Sequence, residues 1–272
     1  MKTHPFNFLF RLLSAFICVH LRLILLALLP VACLAAAPST QPTLSSKSTI
    51  DEVLDALDAR GKDLEDFSAK VQLTDTDPDS GESTINTGTV LLQRLGPGDA
   101  RIRIAFSQQQ VGNKIFTVNH VYTLDKGTLD ERDYIKQTET TRQVFKPGEK
   151  VDLFRLGEGP FPLPIGQKKE DVHQSFDVQK IPADPTDPPN TVHLKLTPKD
   201  HTPLAKNFKT IDVWVDTVTI MPRRIQTEDI TQSSQRTTDL TDLKINTGAT
   251  DKDFTQPPVS AKWDVVVEPY GQ

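Results

Sequence analysis

Phe67-Ser68-Ala69-Lys70-Val71-Gln72-Leu73 decides how this chain is read. Its apolar residues alternate with polar ones, the period of a strand buried on one face only. The pattern then repeats downstream. Val90, Leu92 and Arg94 share one face of a second strand, and Ile102, Ile104 and Phe106 alternate with Arg101 and Arg103 in a third. Asp77-Pro78-Asp79-Ser80-Gly81 and Gly96-Pro97-Gly98 carry turn chemistry between them. Further strands are expected over 114–118, 121–125, 133–145, 191–197, 208–216, 222–231 and 238–246. Such a series predicts a mainly β fold, a curved sheet with one face to fill.

What precedes Phe67 supplies a cover for that face. Thr49 and Glu52 stand at capping-box spacing, and Ile50, Val53, Leu54 and Leu57 recur at helical intervals. Asp51, Glu52, Asp55 and Asp58 occupy the opposite side, and Gly61 offers a stop. One long N-terminal helix is therefore expected, with a short second one near 168–176. Its apolar stripe and the strand faces name the candidate cavity wall: Val53, Leu54, Leu57, Phe67, Val71, Val90, Leu92, Ile102, Ile104 and Phe106.

Two stretches interrupt the strands. Gly159-Pro160-Phe161-Pro162-Leu163-Pro164-Ile165-Gly166 holds three prolines, which exclude a regular helix or strand interior. Phe161, Leu163 and Ile165 then form either a core plug or an apolar flap over a binding face. Residues 182–190, acidic and proline-rich, read as a surface loop.

Residues 1–37 begin with Lys2, Arg11 and Arg22, continue through an apolar run from Leu21 to Leu34, and close on Ala35-Ala36-Ala37. A basic start, an apolar middle and small residues at the end describe a secretory signal peptide. The uncharged run is shorter than the roughly 20 residues of a membrane-spanning helix. Val31-Ala32-Cys33 resembles a lipoprotein processing site, so either Cys33 is acylated and tethers the protein or cleavage falls after Ala35 or Ala36. Residues 38–47 read as a flexible linker and 48–272 as one domain.

Both cysteines, Cys18 and Cys33, lie in the leader, leaving the domain without disulfide, thiolate metal site or cysteine nucleophile. With the three leader cations removed, the formal charge moves from −5 to −8. An acidic surface argues against nucleic acid as partner. His120, His173, His193 and His201 show no metal-ligand spacing, and His120 reads as part of a turn. Asp130-Glu131-Asp133 and Asp251-Asp253 match no calcium loop and read as solvated turns. No nucleophile elbow, phosphate loop or dinucleotide fingerprint occurs, so neither an enzyme nor a cofactor is expected. Arg94 has two readings. It snorkels past the sheet edge, or it stands at the rim of an apolar cavity and bonds to whatever covers it.

The order of several pieces resembles the LolA and LolB family of periplasmic lipoprotein carriers. The pieces are Asp66-Phe67-Ser68-Ala69-Lys70, Gly88-Thr89-Val90-Leu91-Leu92-Gln93-Arg94, Gly159-Pro160-Phe161-Pro162-Leu163, Leu196-Thr197-Pro198-Lys199 and Phe254-Thr255-Gln256-Pro257-Pro258. The family's proline after the arginine is displaced here, with Leu95 intervening and Pro97 following. The resemblance spans about residues 48–258. It implies a half-open antiparallel β-barrel lidded by helix over an apolar cavity, with Arg94 as the lid latch. It also implies a monomeric periplasmic chaperone that takes acyl chains of lipoproteins, or related lipids, from an inner-membrane releasing transporter to an outer-membrane acceptor. A tethered sensor or scaffold of the same fold is the alternative.

Overall fold

The computed structural model describes residues 43–96, 99–146 and 165–270. The elements are α1 (Ile50–Asp63), β1 (Asp66–Thr76), β2 (Ser83–Gly96), β3 (Asp99–Val111), β4 (Lys114–Asp125), β5 (Thr128–Asp133) and β6 (Thr138–Gln143). The second half contains α2 (Lys169–Ser175), β7 (Phe176–Ile181), β8 (Thr191–Pro198), β9 (Phe208–Asp216), β10 (Pro222–Asp229), β11 (Gln235–Ile245), α3 (Asp251–Phe254) and β12 (Asp264–Glu268).

Among the described residues, the twelve strands join one open sheet in the order β12-β6-β5-β4-β3-β2-β1-β11-β10-β9-β8-β7. Its edges, β12 and β7, are not paired to each other, so no barrel closes. Neighbours are antiparallel except at one edge, where β12 runs parallel to β6. That pairing corrects the all-antiparallel expectation. It arises because the chain after β11 crosses the sheet before adding its last strand. The seam at the centre joins β1 to β11, with Phe67 opposite Ile245 and Val71 opposite Leu240.

Strand alternation sorts the two faces. Phe67, Val71, Val90, Leu92, Ile102 and Ile104 point to the face that α1 covers, joined there by Leu194, Leu196, Ile211, Val213 and Ile225 from the other half. The Thr49–Glu52 capping box starts α1, with Thr49 N donating to Glu52 Oε2 at 2.7 Å and Glu52 N to Thr49 Oγ1 at 3.3 Å. Gly61 does not stop the helix, which runs on to Asp63. Its role is steric: a Cβ there would lie 2.1 Å from the Gly166 Cα.

Other expectations need correction. Residues 114–125 form one strand, so His120 sits inside β4 and not in a turn. Asp130, Glu131 and Asp133 lie on β5 within the sheet. The expected strand over 133–145 is the end of β5, a turn at 134–137 and β6, with most of β5 lying before it. Within the expected linker, Leu44 is buried and its N–H donates to the Thr217 carbonyl at 3.1 Å.

Candidate functional site

The ten residues expected to line a cavity come together, none more than 8% exposed. They belong to one apolar cluster in which Val53, Leu54 and Leu57 of α1 pack toward the strands. In this state they form a filled layer between helix and sheet. Clefts lined by described residues include one of about 790 Å3 among the hairpin ends near Asp77, Gly112 and Ser233, and one of about 630 Å3 that Ala69, Val90 and Leu243 help to line.

Side chains and loops around its margin hold α1 down. Arg60 Nε donates to the Thr219 carbonyl at 2.9 Å, and Gly166 N donates to the Leu57 carbonyl at 3.1 Å. Lys169 of α2 reaches Asp55 at 2.8 Å, and His173 Nε2 lies 2.9 Å from Asp51. These last two pairs are solvent-exposed and contribute little each. Among the described residues, apolar area and these margin contacts attach the helix.

Arg94 is half-buried at the end of β2, on the same face as Leu92, and its N–H donates to the Glu65 carbonyl at 2.7 Å. Its guanidinium lies beside the Gly61–Gly166 crossing: a Cβ on Gly166 would stand 3.4 Å from the Arg94 Nη2. Gly166 has a φ of +76°, which favours glycine, and Ile165 just before it is 1% exposed. Phe161, Leu163 and Cys33 lie outside the described residues.

The opposite face of the sheet is polar, and sequence reasoning left it as solvent. Residues 246–263 cross it as a strap. Asp66, 2% exposed, accepts hydrogen bonds from Thr247 N, Thr247 Oγ1, Gly248 N and Ala249 N at 2.8–3.1 Å. Burial alone would raise its carboxyl pKa, but these donors outweigh it and hold the group below the ordinary carboxylate range. Arg101 donates to Gln93 and to Asp251 and lies 4.2 Å from the Phe254 ring centroid. Arg132 pairs with Glu139 at 2.7 Å and donates to the Pro257 carbonyl at 2.6 Å. Phe254 to Pro258, the terminal piece of the resemblance, is therefore the part of the strap that anchors on β3 and β5.

The proline-rich loop 182–190 covers the other flank of this face. Trp214 Nε1 donates to Asp187 at 2.6 Å, and His193 stacks on the Trp214 ring at 4.0 Å while bonded to Asp212 at 2.8 Å. His193 has the environment of a structural side chain. His120, in contrast, faces a small polar pocket, with its Nε2 2.8 Å from Asp133 Oδ2. The alternation around Ile104 and Phe106 puts His120 and Tyr122 on the α1 side, and that signal was present in the sequence.

No family model and no curated protein matches the chain. Solved structures similar to it include an uncharacterized conserved protein from Thermus thermophilus, at 12% identity over 80% of this chain and 98% of that one, TM-score 0.45. A domain assigned to outer membrane lipoprotein sorting in Vibrio parahaemolyticus matches at 14% identity over 75% of this chain and 95% of that one, TM-score 0.35. The Pseudomonas aeruginosa MucA/MucB complex matches at 12% identity over 77% of this chain, TM-score 0.43, and this chain spans only 63% of that partner.

Proposed function

We propose that the protein is an exported, non-enzymatic binder of acyl chains that carries lipoproteins or related lipids toward the outer membrane, with α1 as its movable lid. The observation that supports this is the single apolar face shared by both halves of the sheet, onto which Val53, Leu54 and Leu57 of the 14-residue α1 pack. Loading requires α1 to lift, because its own side chains fill the place of the ligand. Exposing Val53, Leu54 and Leu57 costs about 1.5–3 kcal/mol apiece, roughly 5–9 kcal/mol together. An acyl chain of about fourteen methylenes gains roughly 11 kcal/mol on leaving water. One long chain is enough to replace the helix contacts, and the near balance permits release to an acceptor. Arg94, beside the Gly61–Gly166 crossing, is the latch in this reading. The transporter that loads the carrier and the acceptor that unloads it are inferred from the family resemblance alone.

The test is uptake by delipidated protein of a dipalmitoylated lipopeptide, read by native mass spectrometry, with hydrogen exchange followed in parallel. A stoichiometric complex and faster exchange in α1, with β2 and β3 unchanged, are expected. Failure to take up the lipopeptide overturns the carrier reading and leaves a scaffold that docks a protein partner. Mass spectrometry of the mature N-terminus then separates a diffusing carrier from one tethered through Cys33.

A further inference from the structure

The two edges of the sheet are finished differently. β7 carries Asp177, Gln179 and Lys180 among its apolar residues, and Lys180 Nζ donates to the Ser46 and Ser48 carbonyls at 2.7 and 2.6 Å. The chain leading into α1 therefore lies close to that edge. Interspersed charges and a covering segment are ordinary ways of guarding a sheet edge. β12 has no charge between its ends. It reads Asp264-Val265-Val266-Val267-Glu268, and its valines are 49%, 44% and 71% exposed. Among the described residues no strand lies beyond it.

The backbone shows what this edge offers. The Asp264 N–H donates to the Gln137 carbonyl at 3.0 Å, which turns residue 264 toward β6. In a strand the N–H and C=O of one residue point to the same side, and those of the next residue to the other. Asp264, Val266 and Glu268 therefore face β6, while Val265 and Val267 direct two donors and two acceptors away from the sheet. Their side chains stand on the strap face, opposite Glu139 and Thr141, and Val266 stands on the α1 face opposite Thr140. An extended segment laid along this edge gains four backbone hydrogen bonds and apolar contact on both faces.

Charge selects the segment. Asp264 is exposed at one end of the row, and Glu268 stands at the other, bonded to Arg142 at 2.6 Å. A second copy pairing antiparallel through Val265 and Val267 would set Asp264 of each chain opposite Glu268 of the other. Those are two like-charge pairs, which cross-strand geometry penalises. A segment with a cation at each end places opposite charges at both positions, whichever way it runs, and the negative formal charge of the chain attracts it.

We propose that β12 is a docking edge for a partner protein: it accepts, as an added strand, an extended segment that is β-branched at its centre and basic at both ends. The proposal stands apart from the carrier reading, because the β12 valines lie outside the apolar cluster beneath α1.

The test titrates the labelled full-length mature protein with capped five-residue peptides that share a valine-threonine-valine centre and end in either arginine or glutamate. NMR shifts give the affinity, and hydrogen exchange is followed at Val265, Val266 and Val267. The arginine-ended peptide binds at least about tenfold more tightly than the glutamate-ended one. It slows exchange at Val265 and Val267, which are unprotected in the unbound protein, and leaves Val266 as it was. Val267→Pro removes one outward N–H and keeps the bonds to β6, a position where a sheet tolerates proline, and it weakens binding at least about fivefold. N-methylation of both peptide valines abolishes binding to the unsubstituted protein, whereas N-methylation of the threonine does not, so the comparison survives if the proline variant fails to fold. Equal affinity for the two peptides, protection of Val265 and Val267 before any peptide is added, or binding indifferent to valine N-methylation each overturns the inference. So does a concentration-dependent dimer that Val267→Pro abolishes, since a second copy would then be the occupant.

Discussion

The two faces of the sheet are held by opposite kinds of force. The α1 face is closed by apolar area, with Val53, Leu54 and Leu57 fully buried against strand side chains. The outer face is closed by directional bonds, from Asp66 to residues 247–249, from Arg101 to Asp251 and from Arg132 to Pro257. Apolar packing tolerates exchange of one greasy partner for another, since its strength follows area and not orientation. A network of buried hydrogen bonds does not, because each broken bond leaves a desolvated group without a partner. The contrast predicts that the helix side exchanges partners more readily than the strap side.

Substitutions can break this contrast, beginning with the largest effect. Phe67→Ala removes a side chain 2% exposed beneath α1 and should cost about 3–5 kcal/mol, seen as a fall in the urea midpoint at constant m value. A loss under about 1 kcal/mol would mean that the helix face is hollow and not filled. Asp66→Ala strips the strap of its four-fold acceptor and should cost roughly 2–4 kcal/mol near neutral pH. The folded Asp66 carboxyl releases its proton more readily than the unfolded one. Its stabilisation is therefore complete above the unfolded pKa of about 3.9 and disappears as pH falls through the lower folded value. The stability gap between Asp66→Ala and the parent should accordingly shrink in acid, measured by urea titration at a series of pH values.

Gly61→Ala sharpens the comparison through its sign. In an open helix the change would stabilise by about 1 kcal/mol. Here the new methyl meets the Gly166 backbone, so a loss of about 1–3 kcal/mol in thermal unfolding is expected, with faster hydrogen exchange in α1. Thr49→Ala removes half of the capping box and should cost about 1 kcal/mol, with fraying confined to the first turn by hydrogen exchange. If this small change also loosened the strap, the two faces would not be independent.

Much of the helix face was legible in the sequence, because short periods report burial directly. The capping box at Thr49 and the alternations beginning at Phe67, Val90 and Ile102 required no knowledge of distant chain. The outer face was not legible for the complementary reason. Alternation marks Arg101, Thr123 and Arg132 as outward, and outward reads as solvent until a segment more than a hundred residues later covers them. Asp66 illustrates this: beside Phe67 it looks like a strand end, and its four donors lie about 180 residues away. β7 and β12 were missed because each is short and lacks a clean alternation, Asp264-Val265-Val266-Val267-Glu268 being a plain valine run. The polar pocket was half legible. Its His120 and Tyr122 follow from the alternation in β4, but their meeting with Glu131 and Thr140 depends on pairing register.

The seam between β1 and β11 bears on how the molecule comes into being. Phe67 cannot find Ile245 until everything between them has left the ribosome. Before then the middle of the sheet has a bare flank, and contacts so distant in sequence form slowly once they can form. That lateness leaves β1 without this partner strand all through the making of β2 to β10.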